Sequence, residues 1–144
     1  LPEANAMLGS VLMRMGEHGP AGAAFDRELG SNPNNFEAHL MLGVIRRQEF
    51  DQGAARAHLV KALALRPGDP GARYQLALVD VGAGELEAAR QGLEALVGEH
   101  PKWSEPHVSL ATVYYRLKRK EDGDRQQAIV RELARDKEDR PPPP

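Results

Sequence analysis

Five histidines, at positions 18, 39, 58, 100 and 107, are the residues of this chain best able to ligate a metal or shuttle a proton. Their spacing argues against both roles. No two stand at the i, i+4 spacing that sets a pair on one helix face, and no His-Glu-x-x-His occurs. Cysteine is absent, which removes thiolate nucleophiles, disulfides and zinc–thiolate sites. Carboxylates are plentiful, but none pairs with a base in a catalytic pattern. The segment Gly82-Ala83-Gly84-Glu85 resembles part of a phosphate-binding loop, yet no strand pattern precedes it. The basic run Arg116-Leu117-Lys118-Arg119-Lys120 could touch phosphates, but Glu121, Asp122 and Asp124 follow at once. The expectation is therefore no catalytic residue, no metal, no cofactor and no nucleic-acid partner.

Composition agrees. Nineteen basic residues against 21 acidic ones leave a net charge of −2, too little for a global cationic field. No apolar run approaches the roughly 18–20 residues of a membrane span, so no membrane insertion is expected. No signal-peptide pattern opens the chain. A cytoplasmic or a periplasmic setting fits equally well.

The dominant feature is internal repetition. Pro33, Pro67 and Pro101 are 34 residues apart. The same shift aligns Leu8, Leu42, Leu76 and Leu110, then Gly9, Gly43, Ala77 and Ala111, then Val11, Ile45, Val79 and Val113. It also aligns Ala21, Ala55 and Ala89, and Phe25, Leu59 and Leu93. Each period carries two apolar patterns of helical spacing, separated by a short turn and ended by proline. The predicted helix pairs are 3–16 with 19–31, 35–48 with 51–65, 69–82 with 85–99, and 103–118 with 121–137. Asp51 is placed to cap its helix, and Glu17 and Glu85 in the same column suit the helix dipole. The small columns let paired helices approach closely.

These columns resemble the tetratricopeptide repeat family. Its repeat signature has tryptophan at position 4, leucine at 7, glycine at 8 and tyrosine at 11, then alanine at 20, phenylalanine at 24, alanine at 27 and proline at 32. The first repeat supplies Leu8, Gly9, Ala21, Phe25 and Pro33, and the second Leu42, Gly43, Ala55, Leu59, Ala62 and Pro67. The third supplies Leu76, Ala77, Ala89, Leu93 and Pro101, and the fourth Leu110, Ala111 and Tyr114. His39, Arg46, Arg73 and Asp80 depart from the large residues of positions 4 and 11. The resemblance implies an all-α, right-handed superhelical solenoid of antiparallel helix pairs. Its repeats would span about 2–35, 36–69, 70–103 and 104–137, the last degenerate and capping, before a proline-rich tail at 138–144. Gly123, Gln127 and Arg131 replace larger or apolar residues in that cap, while Ala128, Ile129 and Leu133 are expected to pack inward. The first helix, with Ala4, Ala6, Met7 and Val11, lacks a polar cap, so preceding repeats are expected.

The resemblance also implies what the chain does: it binds a protein or peptide partner on the concave face, lined by the first helix of each pair. Carried over position by position, the partner groove comprises Ala6, Leu40, Tyr74 and Val108, then Ser10, Val44, Leu78 and Thr112, then Met13, Arg47, Val81 and Tyr115. This stripe is largely apolar, and the helix near 69–82 is apolar almost all round. Family members that clamp a carboxylate use positive groups at positions 5 and 9. None stands there here, so no such clamp is expected. The alternative function is a structural or self-assembling segment of a larger multi-repeat protein, as a homo-oligomer.

Overall fold

The computed structural model describes residues 3–138, and every regular element among them is a helix. The helices are α1 (Ala4–Arg14), α2 (His18–Ser31), α3 (Phe36–Gln48), α4 (Gln52–Leu65), α5 (Pro70–Gly82), α6 (Leu86–Glu99), α7 (Ser104–Arg116) and α8 (Lys120–Glu138). The proline run at 141–144 lies outside the described residues. The chain divides into two compact units, residues 1–82 and 83–144.

Helix ends follow local chemistry. Asn35, Asp51 and Asp69 each accept a hydrogen bond from the backbone N–H three residues on, at 2.9, 3.2 and 2.9 Å. Glu17 and Glu85 make no such bond, so their column contributes charge at the helix start without a cap. The turns inside the pairs share one device. Gly16, Phe50, Gly84 and Lys118, spaced by 34, all take the left-handed conformation, with φ of 79°, 62°, 78° and 63°. Where the residue is 16, 50 or 118, the next N–H reaches back five residues to a carbonyl, which closes a Schellman motif. This is why α1 and α7 stop at Arg14 and Arg116, short of the ends predicted from periodicity.

In the first unit, α1 packs on α2, α2 on α3, α3 on α4 and α4 on α5. Phe25 is fully buried beneath α1, and a Cβ on Gly9 would stand 2.7 Å from its ring. Gly43 and Leu59 repeat the arrangement, at 2.6 Å. The small column thus exists because a large side chain of the paired helix occupies the space. Ala6, Ala21, Phe25, Ala38, Leu42 and Ile45 form one core cluster. Ala55, Leu59 and Val79 form another, with Leu40 and Leu76 packed against it.

In the second unit, α6 packs on α7 and α7 on α8. Leu110 and Val113 are fully buried. Gly123 is buried too, because the Tyr115 ring fills the place of its missing side chain. Ile129 and Leu133 are half-buried, but Ala128 is exposed, contrary to the inward packing expected of it.

Two core columns also fail at α1. Leu8 and Val11 are exposed, whereas Leu42 and Ile45 in the same columns are fully buried. On α3 the helix α2 covers this face; on α1 no element among the described residues does.

Candidate partner-binding groove

The groove residues divide between the two units. In the first unit, Ala6 is buried and Met13 packs against the Phe25 cluster, so both serve the core. Leu40 leans on the Leu59 cluster. Ser10, Val44, Tyr74, Leu78 and Val81 are each half-buried. Ser10 Oγ lies 3.1 Å from Ala6 O and 2.6 Å from Glu37 Oε1, two acceptors that share its single hydrogen, and Arg47 Nε donates to Gln75 Oε1 at 3.2 Å. Polar side chains therefore tie first helices together along the stripe, with half-buried apolar ones beside them.

Each unit contains a cavity that includes predicted groove residues. In the first unit a cavity of about 530 Å³ is bordered by Ala6, Ser10, Glu37, Asn35 and Arg66 among others. Arg66 stacks over the Phe36 ring with its guanidinium carbon 4.1 Å from the centroid. In the second unit a cavity of about 350 Å³ joins Val108, Thr112 and Tyr115 to Gln127, Val130 and Arg131 of α8. Val108 and Thr112 are exposed and Tyr115 half-buried. The contributions of Asn35, Arg66 and α8 were missed by a reading confined to first helices. The Asn32-Pro33-Asn34-Asn35 loop was the available signal for the first of them.

The positions that depart from the family signature are satisfied by polar bonds. His39 is buried, and its Nε2 donates to Pro33 O at 2.8 Å while its Nδ1 lies 3.2 Å from His58 Nδ1. Two repeats later, His107 Nε2 donates to Pro101 O at 2.8 Å and its Nδ1 meets the Gln126 amide at 2.7 Å. Both histidines replace the tryptophan of position 4 and fasten the inter-repeat loop. Burial lowers the His58 pKa below 6.5, and the nearby His39 lowers it further.

Position 11 holds a second device. Arg46 pairs with Asp26 on α2 at 3.1 Å, Asp80 with Arg56 on α4 at 2.6 Å, and Tyr114 donates to Glu94 on α6 at 2.5 Å. Burial and this hydrogen bond push Tyr114 up to about 12. Burial of Glu94 acts to raise its pKa, but the bonds from Tyr114 and Arg90 outweigh it and hold the carboxyl low. Each of these bonds staples a first helix to the second helix before it. They are structural, and no acid–base pair is left poised for catalysis among them.

Among the described residues no group of three or more His, Asp or Glu side chains could hold a metal. None of their helices is long and apolar enough to cross a membrane.

Comparison with known proteins places the chain. Two tetratricopeptide repeat models match it, one over residues 6–72 and the other over 46–112. Among solved structures, MamA 41-end from Desulfovibrio magneticus RS-1 is 26% identical with a TM-score of 0.85, covering 94% of this chain and 77% of that one. The MamA RS-1 ArsTM double mutant is 25% identical, also at 0.85, covering 96% and 78%. The K341M mutant of the Thermobaculum terrenum O-GlcNAc transferase is 27% identical at 0.72, over 78% of this chain but 22% of that one. No curated protein sequence matches significantly. The all-α helical-repeat solenoid class implied by the 34-residue period is the class these matches show.

Proposed function

The chain belongs to the tetratricopeptide repeat family, a non-catalytic module of protein–protein interaction, and from that premise we propose that it holds a peptide or helix of a partner protein against the apolar stripe of its first helices. One observation carries the reading. In α3 and α5, Val44, Tyr74 and Leu78 remain half-buried while Leu42, Ile45 and Val79 on the other side are fully buried. A helix apolar on both sides has more apolar surface than its own core uses. The partner would dock as a helix in a groove or as an extended peptide, with affinity from buried apolar area. No nucleic acid and no cofactor enter this reading.

The test is selection of peptides from a displayed library on the whole chain, followed by substitution. Leu78→Glu and Tyr74→Glu should abolish binding of the selected peptides while the circular dichroism spectrum stays helical. Leu42→Glu is the folding control, because Leu42 is fully buried whereas Leu76 is only partly so. If Leu78→Glu unfolds the chain as Leu42→Glu does, the stripe is core and the reading fails.

A further inference from the structure

On α3 the residues Glu37, Leu40, Val44 and Arg47 follow one another at spacings of three, four and three, so they share one face of the helix. That face runs from a carboxylate, over two half-buried apolar side chains, to a guanidinium. Both ends are tied to neighbouring first helices. Glu37 Oε1 lies 2.6 Å from Ser10 Oγ on α1, and Arg47 Nε donates to Gln75 on α5. Among the described residues these are the only bonds of the two side chains. The other carboxylate oxygen of Glu37 and the terminal amino groups of Arg47 keep their capacity for a further partner.

The neighbouring helices extend this order. On α1 it is Glu3, Ala6, Ser10 and Arg14. On α5 only the apolar part continues, as Tyr74, Leu78 and Val81. The stripe of the first unit therefore has an acidic margin at the starts of α1 and α3 and a basic margin at their ends. Between them lies an apolar floor that spreads onto α5. Arg66 also borders the acidic margin, but it is held over the Phe36 ring, and two carboxylates outnumber it. Helix dipoles alone do not account for the margins. The same dipole acts on α2, α4 and α6, yet none of these carries a basic residue in its last turn, and α2 and α4 carry no acid in the first.

We propose that the occupant of the groove is an amphipathic helix of a partner protein, with basic residues along one flank of its apolar stripe and acidic residues along the other. Its basic flank lies against Glu3 and Glu37, and its acidic flank against Arg14 and Arg47. The width of the stripe selects a helix. Glu37 and Arg47 are ten residues apart, about 15 Å along α3, and a helix with its side chains is about 10–12 Å across. Both flanks then reach their margins at once, while the apolar stripe covers Leu40, Val44, Tyr74 and Leu78. An extended peptide turns its side chains alternately toward the floor and away from it, and its narrow backbone meets one margin at a time. The apolar floor supplies the affinity, and the margins choose the partner.

This occupant rests on the groove reading, and the whole chain tests it against three synthetic helices of about 18 residues that share one leucine stripe. The first has lysines on one flank and glutamates on the other, the second lysines on both, and the third glutamates on both. Fluorescence anisotropy at low salt should rank the split helix tightest, by about tenfold. Glu37→Lys should raise the all-glutamate helix above the all-lysine one, and Arg47→Glu should do the reverse. Both variants should keep the helical circular dichroism spectrum, and Leu78→Glu should weaken all three helices alike. A split helix that binds no tighter than the others, or a ranking unmoved by both charge reversals, overturns the charged margins and leaves the groove reading standing. If none of the three binds while library-selected peptides do, a helix is the wrong occupant. If neither binds, or if binding ignores Leu78→Glu, the groove reading fails and this occupant with it.

Discussion

The Nδ1 atoms of His39 and His58 lie 3.2 Å apart, close enough that only one of them can carry a hydrogen between the rings. The other nitrogen of His39 faces the Pro33 carbonyl and must donate. In the neutral pair, His39 Nδ1 therefore accepts and His58 Nδ1 donates. Both rings cannot be protonated without setting two N–H groups against each other.

A pH dependence follows. His58 is lowered in the folded chain, first by burial and then by His39, relative to an unfolded value of 6.5. Above pH 6.5 neither state binds the proton and the pair's contribution is complete. As the pH falls below 6.5 the unfolded chain protonates first, so stability declines down to the lowered folded value. Urea unfolding at pH 8 and pH 5.5 should show this loss. His58→Gln, which copies the His107–Gln126 pair, should make it smaller; an identical pH dependence in that variant would refute the assignment.

Adding one methyl group at Gly43 should separate packing from helix propensity. The new Cβ would lie 2.6 Å from Leu59 Cγ and Cδ2, so Gly43→Ala should cost about 1–2 kcal/mol despite alanine's better propensity. At Gly30, exposed on α2, nothing lies within 4 Å. Gly30→Ala should stabilise by about 0.5 kcal/mol. Thermal unfolding of the two variants should shift in opposite directions.

The turn column predicts gains where glycine is missing. Phe50 is 85% exposed and left-handed, so it bears the conformational cost with little packing in return. Phe50→Gly should stabilise the fold by up to about 1 kcal/mol, and Lys118→Gly should move the same way. Gly16→Ala should destabilise by a similar amount. Calorimetry that found Phe50→Gly destabilising would show that the ring makes contacts its exposure does not reveal.

The Arg56–Asp80 pair should respond asymmetrically. The Asp80 side chain is 12% exposed and that of Arg56 is 42%. Arg56→Ala strands a buried carboxylate and should cost about 1–3 kcal/mol, less than a fully buried pair because water reaches the arginine. Asp80→Ala leaves a guanidinium that can turn to solvent, and should cost less. A double-mutant cycle measures the coupling. Equal costs for the two single changes would argue against the asymmetry.

Much of the fold was legible because the period is strict. Columns such as Leu42 with Leu110 and Gly9 with Gly43 report packing between neighbouring helices, and neighbours are repeated too. The columns mislead where the neighbour changes. Leu8 matches Leu42 in type, but its burial depends on a covering helix that a column cannot show. The Schellman turns escaped for another reason: phenylalanine and lysine at 50 and 118 hide a conformation that glycine at 16 and 84 announces. The staples at Arg46, Asp80 and Tyr114 stood out only as departures from the signature. Their partners lie 20, 24 and 20 residues away, on other helices, and no local pattern links them. The cavities draw on loop residues such as Asn35 and Arg66, outside any helical stripe.

Those staples also give the array a written order. Asp26 expects a positive residue on the helix that follows it, Arg56 expects a negative one, and Glu94 a hydroxyl. Tandem duplication of residues 36–69 would bring Arg56 against a second Arg46. Duplication of residues 2–35 would set Asp26 against a second Leu12. Repeat arrays lengthen most simply by copying a unit beside itself, and this one meets each such copy with a mismatched junction. Its repeats share a shape but not an address, so growth or shuffling would require a compensating charge change at every new seam.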